Sequence, residues 1–202
     1  GFVEILAVAV RAGNAVGFEP DLEAGVDQAA ASVLQVEAVA AVAQAVADGA
    51  VEDDQGAALA LLQTRDGDPA DRDPPVGGFL WNEVWPADIE RSMTFYARVT
   101  GLRPATHTTA GEQQYRYMAT ATTPRFGLLQ QPAPELSPTW VSYIRVQQPE
   151  QIATRVPALG GRVLLPVQAR AVGGEVALIA GPSGAGFAIQ TWKGRTTALM
   201  QD

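Results

Sequence analysis

A chain of 202 residues, 47% hydrophobic and 18% charged, has the composition of a globular protein that can bury one sizeable core or two small ones. Its net charge of −8, with Lys and Arg scattered along the chain, argues against a nucleic-acid partner. The lack of Cys excludes disulfides and thiolate metal sites and fits a cytoplasmic location.

The apolar opening, residues 2–10, is too short to span a bilayer and carries Glu4 without a basic flank. Neither a signal peptide nor a membrane helix is expected. Residues 1–18 and 29–34 read as strands. Residues 37–47 read as a helix with Val39, Val42 and Val46 on one face, stopped by Asp48-Gly49. An apolar strand follows at 59–63. Residues 64–78 are rich in Asp, Pro and Gly and read as a linker.

Residues 79–86 predict a strand. Asp88 is placed to cap a helix, and Ile89, Met93, Tyr96 and Val99 follow at helical spacing up to a stop at Gly101. Three strands are predicted at 102–109, 113–120 and 125–130, then a loop at 132–138. A second unit of the same order starts with a strand at 140–146. Pro149 opens its helix, where a missing N–H costs nothing, and Ile152, Val156 and Leu159 form the apolar face. Pro157 inside that pattern predicts a short or kinked helix. Strands at 162–165, 175–180 and 186–192 complete the order βαβββ twice. The Gly-rich run 181–186 lacks the Lys-Ser/Thr ending of a phosphate loop and precedes a strand, so it reads as a turn.

An internal repeat extends this organisation backwards. A displacement of 112 residues brings 15–49 onto 127–161, matching Pro20 with Pro132, Glu23 with Glu135, Gln35 with Gln147 and Gly49 with Gly161. Further on, Gln55-Gly56-Ala57 matches Ser183-Gly184-Ala185 at a displacement of 128. Residues 1–63 therefore read as an incomplete copy of the later unit, lacking a front βα segment. Either that copy is truncated or the sequence omits segments. The unpaired sheet edge that truncation would leave favours omission. The expected division is 1–63 incomplete copy, 64–78 linker, 79–194 complete domain and 195–202 tail.

The pattern W-N-E-V-W-x-x-D-x-x-x-S-x-x-F-Y-x-x-V-x-G, from Trp81 to Gly101, resembles the first βα unit of the vicinal oxygen chelate superfamily, the glyoxalase, bleomycin-resistance and dioxygenase group. Residues 140–146, then Ala158-Leu159-Gly160-Gly161, then 181–185, resemble its second unit, in the manner of the two-domain glyoxalase-like branch. The resemblance implies an α+β fold in which paired βαβββ units form a cupped eight-stranded mixed sheet around a cavity. It also implies metal-ligand positions: a His on the first strand of a unit and a Glu near the end of its last strand. Here those positions fall on Trp81 and Val141, and near Ala188 and Ala60. None supplies a metal ligand, and the single His, His107, lies away from them and reads as an ordinary strand residue. No metal and no cofactor is expected.

Residues two apart on a strand share a face, so Trp81, Glu83 and Trp85 point together into the expected cup, as do Val141, Tyr143 and Arg145. Tyr115 with Tyr117, Gln130, and Ala188 with Gln190 complete the expected lining. A charge inside a cup is costly unless paired. Glu83 and Arg145 are therefore expected to meet or to address one polar ligand. Glu83, its pKa raised by burial, would be a general acid or base; Arg145 would hold a carboxylate, enolate or phenolate; and Tyr143 would add a hydrogen bond. A structural ion pair among core aromatics is the competing reading of the same residues.

Three functions stay open at this point. One is a metal-independent enzyme of isomerase, cyclase or lyase type acting on a hydrophobic or aromatic small molecule. Another is a non-catalytic protein that binds and sequesters an antibiotic or metabolite. The third is a metal-dependent glyoxalase- or dioxygenase-like enzyme. A pseudo-enzyme whose paired domains serve homodimer formation is a further alternative. The partner expected is a small hydrophobic or aromatic ligand, with no nucleic acid and no membrane.

Overall fold

The computed structural model describes residues 4–6, 51–62, 73–109 and 111–192. Three short strands come first: β1 (Glu4–Leu6), β2 (Val51–Glu52) and β3 (Ala58–Leu62), paired antiparallel in the order β1-β3-β2. Then come β4 (Phe79–Trp85), α1 (Ile89–Thr100), β5 (Arg103–Thr108), β6 (Gln114–Ala119) and β7 (Pro124–Leu128). The same order returns as β8 (Thr139–Arg145), α2 (Pro149–Arg155), a 3-10 turn (Pro157–Leu159), β9 (Arg162–Ala169), β10 (Glu175–Ala180) and β11 (Gly186–Gln190). The strand and helix expected within 7–50, and the tail from 193, lie outside the described residues. Among the described residues no helix is long and apolar enough to cross a membrane.

Local chemistry sets the helix ends. The Asp88 side chain accepts from the Arg91 N–H at 3.0 Å, satisfying one of the orphan donors of the first turn of α1. Gly101 closes α1 with φ 74°, a conformation that carries no Cβ penalty in glycine. α2 stops at Arg155, because Pro157 has no N–H to continue the ladder. The chain tightens into the 3-10 turn before Gly160 at φ 78°.

Eight strands form one sheet in the order β5-β6-β7-β4-β8-β11-β10-β9. β4 pairs β7 in parallel, β8 pairs β11 in parallel, and β4 and β8 run antiparallel at the centre. The two βαβββ units are thus related by an approximate two-fold axis between β4 and β8. β9 extends four residues beyond the predicted end at 165. Pro166 is tolerated there because β9 is an edge strand and its pairing with β10 shifts register at that point.

The alternation of each strand sorts residues between two faces. Towards α1 lie Val84, Met93, Tyr96, Met118, Phe126, Leu128 and Trp140. Within that set Tyr96, Phe126 and Trp140 meet edge to face, with centroids 4.9–5.6 Å apart. Val146, Val156, Ala177, Ile179 and Ile189 pack beneath α2. The opposite, cupped face carries Trp85, Val141, Tyr143 and Ala188, with Tyr115, Tyr117 and Ala119 beside them.

The segment between β2 and β3 is built into this core. Asp53, 6% exposed, accepts at Oδ1 from the N–H groups of Gln55 and Ala57 and at Oδ2 from the Tyr96 hydroxyl at 2.8 Å. The Gln55 amide donates to the Asp88 carbonyl and accepts from the Asp88 N–H, both at 2.8 Å, gripping the helix entry. Ala57 and Leu59 join the cluster under α1. Replacing Tyr96 with Phe leaves a buried carboxylate oxygen without its donor. The expected result is a loss of about 1–3 kcal/mol of stability, read as a lower midpoint in denaturant melts with an unchanged slope.

Candidate functional site

Position 83 lies between Trp81 and Trp85 on the cupped side of β4, beyond the register shift that follows the exposed Phe79. Glu83 has no solvent-exposed surface. Its Oε1 accepts from the Tyr115 hydroxyl and from Arg170 Nη2, and its Oε2 accepts from the Tyr143 hydroxyl and, at 3.4 Å, from Trp85 Nε1. A carboxylate offers about four acceptor positions, and here four donors occupy them. Because all four neighbours donate, the ionised form is the one that fits.

A further layer fixes those donors. Trp81 Nε1 donates to the Tyr115 hydroxyl at 2.8 Å, and Arg170 Nη1 donates to Gln190 Oε1 at 2.7 Å. Gln190 Nε2 donates in turn to the Gly173 carbonyl at 3.3 Å. The Arg170 guanidinium lies 4.6 Å from the Tyr143 ring centroid and 5.5 Å from that of Tyr115, a cation–π arrangement on both. Gly127, paired with Glu83 across β4 and β7, makes room for the group. A Cβ there would sit 1.9 Å from the Tyr115 hydroxyl oxygen and 3.0 Å from Glu83 Cγ.

Burial pushes the Tyr115 phenol well above its ordinary range, against a smaller downward pull from the hydrogen bond with Trp81. Burial likewise raises Tyr143, against the bond from Trp85. Burial lowers Arg170 to about 10, which leaves it charged at neutral pH. Both phenols thus stay protonated and donating wherever the protein is folded.

A cavity of about 450 Å³ lies against this knot, walled by Trp85, Tyr115, Gln130, Tyr143, Ala188 and Arg170 among others. A hollow of about 20 Å³ on the other side of Arg170 is lined by Trp81, Tyr115, Gln190 and Trp192. Glu83 lines neither. Val141 is buried in the apolar cluster of the cupped face, and Tyr117 stacks on Tyr115 with centroids 6.5 Å apart; neither lines the described cavities. Gln130 stands at the rim, its amide donating to the Ala87 carbonyl at 2.8 Å. His107 is opposite Tyr115 across the pairing of β5 with β6.

The expected meeting of Glu83 and Arg145 is not made. Arg145 donates to the carbonyls of Pro74 at 2.7 Å and Trp192 at 3.2 Å, tying down strand ends. The reason is the antiparallel register. Glu83 faces Val141, so Arg145 is four residues further along, roughly 13 Å at the rise of a strand. Under the two-fold relation the counterpart of Glu83 is Tyr143, and that of Arg145 is Trp85. Arg170 takes the place assigned to Arg145. The signal for it was parity: with β9 read through Pro166, Gln168 and Arg170 fall two apart on the cupped side.

The residue types present do not fit a divalent metal. Trp81, Val141 and Ala188 stand at the ligand positions implied by the resemblance, and an indole N–H only donates. The lone pairs of Glu83 are engaged, and among the described residues no group of three or more His, Cys, Asp or Glu converges.

No protein-family model matches the chain. It is 28% identical over 140 residues to the protein called "Putative glyoxylase CFP32" of Mycobacterium bovis, and equally to its namesake in Mycobacterium tuberculosis, covering 69% of this chain and 53% of each relative. The chain therefore spans about half the length of the curated relatives it matches. Among solved structures, methylmalonyl-CoA epimerase from Mycobacterium tuberculosis superposes with a TM-score of 0.44 at 12% identity, covering 64% of this chain and 97% of that one. A glyoxalase/bleomycin resistance protein/dioxygenase superfamily member from Vibrio splendidus gives 0.37 at 14% identity, covering 55% and 97%.

Two outcomes follow from the knot. Arg170→Met strands a buried carboxylate and should cost about 3–5 kcal/mol, and adding Glu83→Gln should recover a large part of it; a double-mutant cycle by denaturant unfolding measures the coupling. Tyr115 and Tyr143 titrate above the ordinary value of 10.0 while folded. The unfolded chain then binds fewer protons than the folded one above that pH. Stability should fall as pH rises past about 10, by roughly 1.4 kcal/mol per pH unit for each such tyrosine, seen in urea melts at stepped alkaline pH.

Proposed function

We propose that the chain is a member of the vicinal oxygen chelate superfamily and that its cup binds a hydrophobic, aromatic small organic molecule and holds it unchanged. The observation that carries this reading is the saturated carboxylate. Glu83 is the one carboxylate buried on the cupped face among the described residues, and four donors hold it behind the wall. A general base must reach the proton it removes, directly or through one water. Here the reach is blocked by Tyr115, Tyr143 and Arg170. What meets a ligand is mostly aromatic ring surface and aliphatic side chain, with Gln130, Gln168 and the paired Arg170 as the polar groups, which suits stacking and burial. The binding unit is residues 79–190, braced by the 51–59 segment under α1.

A second reading, acid–base turnover of the same kind of molecule, has one feature in its favour. Arg170 precedes a turn carrying Gly173 at φ 100° and Gly174 at φ 79°, and withdrawal of Arg170 with that turn would free one acceptor position on Glu83 Oε1, leaving Tyr115 on the other. The name of the mycobacterial relatives also points to an enzyme.

Trp85 on the cavity wall supplies a readout. With 2-naphthol as probe, tryptophan fluorescence should change saturably at one equivalent, and extraction followed by mass spectrometry should return the probe unaltered. Val176→Trp, which fills the cavity from β10, should weaken binding by about tenfold or more, on the order of 1.4 kcal/mol. Any product beyond a protein-free control favours the second reading. Undiminished binding by the filled variant places the ligand elsewhere.

A further inference from the structure

Arg170 is the single charged residue on the wall of the 450 Å³ cavity among the described residues, and its charge is already answered. Nη2 is committed to Glu83 and Nη1 to Gln190, and the guanidinium face lies over Tyr143 and Tyr115. The side chain of Glu83 is fully buried and that of Arg170 is 12% exposed, so water does little to screen the pair. Viewed from the cavity, the knot is a neutral object with a large internal dipole.

We propose that this cancellation makes the cup selective for uncharged aromatic ligands over anions and cations of the same shape. The proposal rests on the binding reading above and adds the charge class of the ligand. An anion entering the cavity finds no unanswered cation. It can reach only the N–H groups of Arg170 that Glu83 and Gln190 leave, and it brings a second negative charge beside a buried carboxylate, where the low dielectric makes repulsion expensive. A cation meets Arg170 first. The ring faces of Tyr115 and Tyr143, which would otherwise attract it, are already used by that guanidinium. A neutral ring has neither cost. It gains contact with Leu165, Val172, Val176 and Leu178 on the wall. A hydroxyl on that ring has an acceptor at the rim: Gln130 turns its NH2 to the Ala87 carbonyl, which leaves its Oε1 for a ligand.

Three probes on one ring system isolate charge from shape: 2-naphthol, 2-naphthoate and 2-naphthylmethylammonium, each titrated calorimetrically into the whole chain at neutral pH. The expected result is that 2-naphthol binds about tenfold tighter than either charged probe, or better. Equal or tighter binding of either charged probe overturns the proposal and leaves the binding reading standing. Failure of all three to bind overturns the binding reading and the proposal with it. Glu83→Gln provides a second, independent check, with its fold verified by circular dichroism. The variant keeps the shape and unmasks Arg170, so the preference should swing towards 2-naphthoate by about tenfold relative to the parent. A folded variant with the parent's preference order overturns the charge-cancellation argument. If the variant does not fold, the probe series on the parent protein decides alone.

Discussion

A carboxylate with no exposed surface, in the middle of an eight-stranded sheet, has to be met by donors, and much of this fold is the arrangement that meets it. The donors to Glu83 come from separate strands: Tyr115 from β6, Tyr143 from β8, Trp85 from β4 itself, and Arg170 from the turn after β9. Gly127 on β7 leaves the space, and Gln190 on β11 steadies the arginine. Five strands and one turn converge on one side chain. A slip of any of these strands by one residue would turn its contribution to the opposite face, so the knot specifies register as well as satisfying a charge.

That arrangement also decides what the cup presents. Groups that chemistry would need mobile or accessible are the ones most tightly held. The phenols are kept protonated by burial, and the carboxylate has no lone pair to spare. The cavity is therefore a shaped surface backed by electrostatics, with the carboxylate behind the wall and its paired cation, Arg170, in it. Fold membership does not supply a reaction here, because function belongs to the site grafted on the fold. At the positions where a metal would be held, this chain offers an indole, an isopropyl group and a methyl group.

Local rules made much of the fold legible in the sequence. Asp88, Gly101, Pro149 and Pro157 each act within a few residues of their own position, and the structure uses each as backbone chemistry requires. Alternation on β4 was enough to send Glu83 to the cupped face. The partner of Glu83 is a different kind of fact. It depends on which residue faces which across an antiparallel pair and on how far an edge strand runs past a proline, and neither is encoded locally. Arg145 had the right parity and the wrong end of the strand. Arg170 had both right, but the proline at 166 hid the continuity that would have shown it. The part of the chain before the linker was harder still, since the side chain of Gln55 is held by Asp88 and Ser92 at the start of α1, more than thirty residues away.

Two buried carboxylates in this protein show how the same problem is solved for different ends. Asp53, on the helix side, takes two of its hydrogen bonds from backbone N–H groups of its own turn and one from Tyr96. Backbone donors come with the turn and are indifferent to the side chains that carry them, so that solution is robust and closed to variation. Glu83, on the cupped side, takes all of its hydrogen bonds from side chains, and all four of those residues also wall the cavity. Any change to Tyr115, Tyr143 or Arg170 alters the charge balance and the shape of the cup together. The stability of the sheet and the shape and charge of the cup are thus carried by the same few groups. A substitution that retunes one has to be compensated in the other, most directly at residue 83.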